Sequence, residues 1–167
     1  MTNLIKIGID PSGTGTTGIV CYINNKLVDK TEIISKEWTI HVLKILEYIG
    51  EQQECKIYIE NCLPTNANGS KDRDDLLRVL GAIEIENKFN LIGGLSFSFC
   101  PYFISPKYTK SVVKNMENLS KYNYSCLWKY DKDTNLTYQY GKGWFYNNEK
   151  ISNHFRDAII IANYERI

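Results

Sequence analysis

The sequence predicts an α/β fold: a mixed five-stranded sheet, an antiparallel meander of three strands joined by parallel ones, flanked by helices. Three observations predict it. Residues 4 to 34 hold three strand-like runs separated by short turns. From residue 35 onward, helical and strand periodicities alternate, as parallel strands joined by crossovers require. Two of the strands end on an acid, Asp10 and Glu60, and in such sheets sites gather at strand ends near a change of connection.

Each element has its own signal. Residues 4 to 9 alternate apolar and other side chains, a half-buried strand. Residues 17 to 23 (TGIVCYI) form a second strand, Asn24-Asn25 is a turn pair, and residues 26 to 34 (KLVDKTEII) form a third. Residues 38 to 49 place Trp38, Val42, Ile45, Leu46 and Ile49 at helical spacing, with Ser35 as the expected cap. KIYIE (56 to 60) is a β-branched and aromatic strand, and NCLPTNANGS (61 to 70) has loop composition. Residues 72 to 89 are helical, with Leu76, Leu77, Leu80, Ile83 and Phe89 expected on one side. Residues 96 to 104 (SFSFCPYFI) read as a strand made irregular by Pro101. Ser105-Pro106, a capping hydroxyl and a first-turn proline, opens a helix to about Met116. Residues 117 to 150 are rich in Tyr, Asn and Lys; strand-like runs (YSCLWKY, LTYQYG, WFYN) leave a hairpin insertion and a loop both open. Residues 151 to 164 form an amphipathic helix capped by Ser152 or Asn153. No repeat and no linker interrupts the chain, so residues 1–167 are expected to be a single domain.

Composition narrows the class. With 167 residues, 43% hydrophobic and 23% charged, the chain suits one globular domain with a real core. No run approaches the ~18 apolar residues of a membrane span. The most apolar, Leu91 to Ile104, contains Gly93, Gly94 and Pro101. The N-terminus has no basic flank, long apolar stretch or small-residue cleavage site, which points to a cytoplasmic protein without a membrane association. Five cysteines, odd in number and without a CxxC pair, read as thiols in a reducing compartment and argue against zinc. Net charge is only +1, but residues 88 to 150 hold nine lysines against four acids. A basic region facing an acidic one suits carboxylates that work beside a polyanion, although a solvated lysine-rich surface is the simpler account of charge alone.

The acids carry the chemistry. If the strands ending at Asp10 and Glu60 are adjacent, the two carboxylates meet. Asp157 lies in HFRDAIIIA on the last helix, and His154, three residues earlier, shares its face. Such a set concentrates negative charge that divalent cations relieve, and hard oxygen ligands suit Mg²⁺ or Mn²⁺. Two such ions, about 4 Å apart, clamp a phosphodiester and stabilise both the attacking and the leaving oxygen. Each residue has a plainer role as well. Asp10 before Pro11 can start a turn, and Glu60-Asn61 can end a strand. His154 can cap a helix or satisfy a core polar group, and Asp157 can pair with Lys150 or a neighbour of Arg156.

IGIDPSGTGTTGIV, IYIEN and HFRDAIIIA, in that order, resemble the RuvC-type Holliday junction resolvases of the RNase H-like superfamily. LRVLGAIE (77 to 84) looks like that family's helix after the second catalytic strand, and ISPKYTKSVV (104 to 113) like its strand-to-helix element with DNA-facing lysines. The similarity spans about residues 4 to 113 and 151 to 164. It implies an RNase H-like fold and a magnesium-dependent endonuclease, with Mn²⁺ as a substitute and two ions per site. Asp10, Glu60, His154 and Asp157 would be its catalytic and metal-binding set. Lys107, Lys110 and Lys114 would contact DNA, and the implied homodimer matches the two-fold symmetry of a four-way junction. Departures are specific. Asp10-Pro11-Ser12 stands where the family has Asp-Pro-Gly, the Gly/Thr stretch that follows is a residue longer, and Leu63 replaces an aromatic that wedges into the junction. Residues 117 to 150 do not match. A broader branched-DNA nuclease is therefore an alternative, and the Asn/Lys/Ile/Tyr bias fits the cytoplasm of a bacterial or phage-infected cell.

Two further readings compete. DPSGTGTTG also looks like the phosphate-binding turn of sugar kinases and actin-like ATPases, but 167 residues leave no room for the second lobe that encloses ATP. A non-catalytic DNA-binding module would use Lys107, Lys110, Lys114 and Lys121 with Tyr108, Tyr122 and Tyr124, by charge and stacking. The acid set argues against it, because partly buried carboxylates without a ligand are costly. The Gly/Thr turn after Asp10 is expected to reverse the chain tightly and to approach phosphate.

Overall fold

A computed structural model of the chain describes residues 4–51, 55–62, 71–92, 101–107, 133, 135–139 and 141–164. Its first five strands are β1 (Ile5–Asp10), β2 (Thr16–Ile23), β3 (Lys26–Ile34), β4 (Cys55–Glu60) and β5 (Pro101–Ile104). They form one sheet in the order β3-β2-β1-β4-β5. β1, β2 and β3 pair antiparallel, whereas β4 runs parallel to both β1 and β5. This is the mixed five-stranded sheet that the sequence predicts. Asn24 and Asn25 have φ of 51° and 65°, the left-handed pair of a type I′ turn, which joins β2 to β3 without splaying them.

The alternating pattern divides the sheet into two buried faces. On one, Ile7, Ile9, Ile19, Cys21, Ile57 and Ile59 pack against two helices, α1 (Trp38–Gly50) and α2 (Lys71–Ile92). On the other, Val20 and Tyr22 pack against α3 (Asn153–Ala162). Lys6 shares that second face and is only 2% exposed. Its ammonium donates to Asn25 Oδ1 at 2.9 Å and stands 5.8 Å from the Tyr22 ring, so the buried charge has partners.

A second sheet shares a core with α3 and β2. It comprises β6 (Leu136–Gln139), β7 (Gly143–Tyr146) and β8 (Glu149–Lys150), all antiparallel. Leu136, Trp144 and Tyr146 enter the same core as Ala158, Ile159 and Ile160. The buried Asp133 carboxylate ties this sheet to the first: it accepts the Tyr22 hydroxyl at 2.6 Å and the Tyr146 hydroxyl at 2.9 Å. Of the two options for residues 117–150, the described part from 136 onward is a hairpin with a third strand. Residues 117–132 lie outside the described residues.

Two local expectations are corrected. The cap of α1 is Glu37, not Ser35; Ser35 instead accepts from Glu37 N at 3.0 Å, one residue ahead of the helix. The buried face of α2 is also rotated from the leucine-based expectation. Leu80 and Ile83 are buried and Leu76 is partly buried, but Leu77 is 45% and Phe89 65% exposed. Asp75 and Val79 take the inward positions, and Asp75 enters the core because Arg78 pairs with it at 2.7 Å. β5 begins at Pro101, and a helical turn begins at Pro106; residues 96–100 and 108–116 lie outside the described residues.

Candidate metal centre

Strand register brings the first two acids together. Ile9 of β1 faces Ile59 of β4 in a parallel pair, so the next residue on each strand, Asp10 and Glu60, emerges at one sheet end. Asp157 arrives from α3, and one carboxylate oxygen from each of the three lies within 4.8 Å of the others. All three residues are partly buried. Asp10 and Glu60 also line an open cleft with Pro11, Asn61, Cys62, Leu76 and Pro106.

α3 reaches this position because the sheet is bare beneath it. A Cβ on Gly8 would stand 2.1 Å from the Ala158 carbonyl oxygen and 2.7 Å from Ala162 Cβ. A Cβ on Gly18 would stand 2.6 Å from the carbonyl carbon and oxygen of His154. Glycine at both positions lets the helix lie close to β1 and β2, which aligns Asp157 and His154 with Asp10. Ser152 fixes where the helix starts: its hydroxyl oxygen accepts from Phe155 N at 3.0 Å and donates to Glu32 on β3.

His154 joins the group through Asp10, donating from Nδ1 to Oδ2 at 2.8 Å. That bond, and the field of Asp10, Glu32 and Asp157, hold the imidazole pKa above its ordinary value although burial opposes it. Burial raises the pKa of the Asp157 carboxyl, the nearby Asp10 charge adds to this, and the Arg156 guanidinium pulls it back. Arg156 holds Asp157 at two points, Nε to Oδ1 and Nη2 to Oδ2, each 2.8 Å. Sequence reading places Asp157 with Lys150 or with a neighbour of Arg156; the partner is Arg156 itself.

The Gly/Thr turn after β1 reverses the chain into the antiparallel β2, as expected, and also packs on a helix. Its reach is used to dock on α2: a Cβ on Gly13 would stand 2.4 Å from Leu76 N and 2.6 Å from the Asp72 carbonyl oxygen. Asp72 Oδ1 accepts from Thr14 N at 3.1 Å and from Thr14 Oγ1 at 2.9 Å. Ser12 N donates to Thr17 Oγ1 at 3.0 Å, and Thr17 Oγ1 lies 2.9 Å from Nδ1 of the buried His41. Nε2 of that ring donates to the Ser35 carbonyl at 3.1 Å, which leaves Nδ1 to accept the Thr17 hydroxyl. Asp72, His41 and Arg156 thus shape the site without having been singled out by sequence. Arg156 alone had a signal, its adjacency to Asp157.

Of the lysines expected to meet DNA, Lys107 is exposed, one residue beyond the cleft-lining Pro106. Lys110, Lys114 and Leu63 lie outside the described residues. The donor set of the centre is three carboxylates, hard oxygen ligands that fit Mg²⁺ or Mn²⁺ and not a thiol-seeking metal.

No protein-family model and no curated protein sequence matches the chain. Among solved structures, it is similar to T. thermophilus RuvC in complex with a Holliday junction substrate. The TM-score is 0.58 at 14% identity, over 95% of this chain and 90% of that one. The likeness establishes an RNase H-like α/β fold for this chain.

Proposed function

We propose that the chain is a metal-dependent endonuclease of branched DNA, with the four-way junction as its preferred substrate. The convergence of Asp10, Glu60 and Asp157 at one sheet end carries this reading. They would hold Mg²⁺ or Mn²⁺, two ions per site, with His154 as a further ligand or as a positive charge for the transition state. Bound there, such ions lower the pKa of an attacking water and neutralise charge on the phosphodiester. The chain's own part is to hold the carboxylates in place through the register of β1 and β4 and the docking of α3. The raised pKa of His154 keeps a proton beside Asp10 to higher pH than an ordinary histidine would.

Lys107, and beyond it Lys110 and Lys114, would bind the DNA backbone, with Leu63 at the place of the family's wedge residue. Recognition would rest on phosphate contacts and junction shape. A homodimer would present two centres to a two-fold symmetric junction, and paired nicks would leave 5′-phosphate and 3′-hydroxyl ends. The fold shared with a protein whose structure was solved on a Holliday junction supports the choice of substrate.

The test is cleavage of an immobile four-way junction beside a flap, a fork and linear duplex, in Mg²⁺ and Mn²⁺, with Asp10→Asn as the comparison. Symmetric nicks on the junction, lost in the variant, support a resolvase. Equal cleavage of flaps and forks makes it a general branched-DNA nuclease, as an aliphatic Leu63 would favour. Tight junction binding without cleavage in either metal rejects the nuclease reading and leaves a binding module.

A further inference from the structure

Arg156 is the residue of the centre that the proposed chemistry leaves without a task. Consecutive side chains on a helix diverge by about 100°, so neighbours do not ordinarily face each other. Here they do. The guanidinium grips both oxygens of the next residue in a fork-to-fork pair, at 2.8 Å and 2.8 Å. The two side chains are 14% and 19% exposed, so water competes little.

This pairing competes electrostatically with a metal ion at Asp157. Each carboxylate oxygen already receives an N–H from a cation. A divalent ion coordinated to either oxygen would stand within about 5 Å of the guanidinium. Like charges at that spacing in a partly buried site repel strongly. The guanidinium also has other holds in the same position. Its Cζ lies 5.1 Å from the centre of the Trp144 ring, and Nη1 donates to Asn153 Oδ1 at 3.1 Å. The face of an indole is the best aromatic seat for a guanidinium.

We propose that Arg156 is a counter-ion latch: it holds Asp157 while the centre is free of metal, and yields that carboxylate to a divalent cation by shifting further onto Trp144. This rests on the metal-centre reading above and adds a positioning residue to it. It also assigns a task to β7, which supplies the seat.

The experiment is a Mn²⁺ titration of the protein without DNA, following free Mn²⁺ by electron paramagnetic resonance. Arg156→Gln removes the charge and keeps comparable size. Its Mn²⁺ dissociation constant should fall by roughly tenfold against wild type. Arg156→Lys, which keeps the charge without the fork, should lie between the two and serves should the glutamine variant fold poorly. In wild type, Mn²⁺ should change tryptophan emission; Trp144→Phe and Arg156→Gln should each abolish that change. Equal or weaker Mn²⁺ binding by both Arg156 variants overturns the latch and leaves the metal centre standing. No Mn²⁺ binding by any of these proteins overturns the metal centre, and the latch with it.

Discussion

Gly8→Ala is the perturbation that asks most directly whether helix docking builds the site. The new methyl carbon would sit 2.1 Å from the Ala158 carbonyl oxygen and 2.7 Å from Ala162 Cβ. Ordinary contact begins at 3.4 Å, so backbone must separate by about 1.3 Å at the first of these. The obstruction is helix backbone, which no rotamer change can relieve. Overpacking of this kind costs about 1–3 kcal/mol. For a chain of this size that corresponds to a loss of roughly 4–8 °C in Tm at about 2 kcal/mol. α3 carries Asp157 one position before Ala158, so its carboxylate moves with the contact. Mg²⁺ binds oxygen at about 2.1 Å, so carboxylate oxygens that now lie within 4.8 Å of one another cannot share an ion after an ångström of retreat. A misplacement of that size costs on the order of 100-fold in rate. The assay is a thermal melt and a single-turnover nicking time course on a four-way junction, with junction affinity measured alongside. Gly81→Ala is the control: nothing lies within 4 Å of its added carbon, and it should stabilise α2 by about 0.5–1 kcal/mol without touching nicking. A destabilised Gly8→Ala that binds Mn²⁺ and nicks like wild type would refute the link between the glycine contacts and the centre.

Three further outcomes are expected. Mn²⁺ at about 100 times its dissociation constant should stabilise the wild type by about 2.7 kcal/mol, or roughly 5–10 °C, and Asp10→Asn should lose most of this shift in calorimetry. In metal-free protein, the His154–Asp10 pair contributes fully below the ordinary histidine pKa of 6.5 and fades as pH rises through the raised value. The stability gap between wild type and His154→Ala should therefore shrink above about pH 6.5, and because the ring is 42% exposed it should not exceed about 1 kcal/mol; a gap that widens with pH contradicts the sign. Asp133→Ala removes the shared acceptor of two buried tyrosine hydroxyls, Tyr22 and Tyr146, and should cost about 1–3 kcal/mol in urea unfolding; no measurable loss would mean that the two sheets do not depend on this carboxylate.

Much of this architecture is written in local pattern. Alternation along residues 4 to 9 fixes which side chains of β1 enter the core, and an Asn-Asn pair dictates a left-handed turn. Strand-terminal acids are equally legible, because a parallel register of β1 on β4 must bring Asp10 and Glu60 side by side. What resists reading is the rotation of a helix about its axis. The periodicity of α2 finds an apolar stripe, yet Leu77 and Phe89 lie outside the core while Asp75 lies inside it. The Arg78 pair makes that burial tolerable, and a pairing three residues away competes with many others in the sequence. Close approach is similarly silent: Gly8 and Gly18 look like weak strand residues until a helix is laid over them.

α3 packs against both sheets, and this links the second sheet to the candidate centre. Toward the first sheet it meets two bare glycines; toward the second it meets Leu136, Trp144 and Tyr146. One short helix therefore carries His154 and Asp157 between two surfaces that were patterned independently in the sequence. The glycines permit contact with the first sheet, and Trp144 of β7 meets the helix at Arg156. Trp144 does both jobs, packing in the helix core and seating the guanidinium that holds Asp157. A change in the second sheet can thus alter the carboxylate group without touching a carboxylate, which is the physical reason to treat residues 136 to 150 as part of the site.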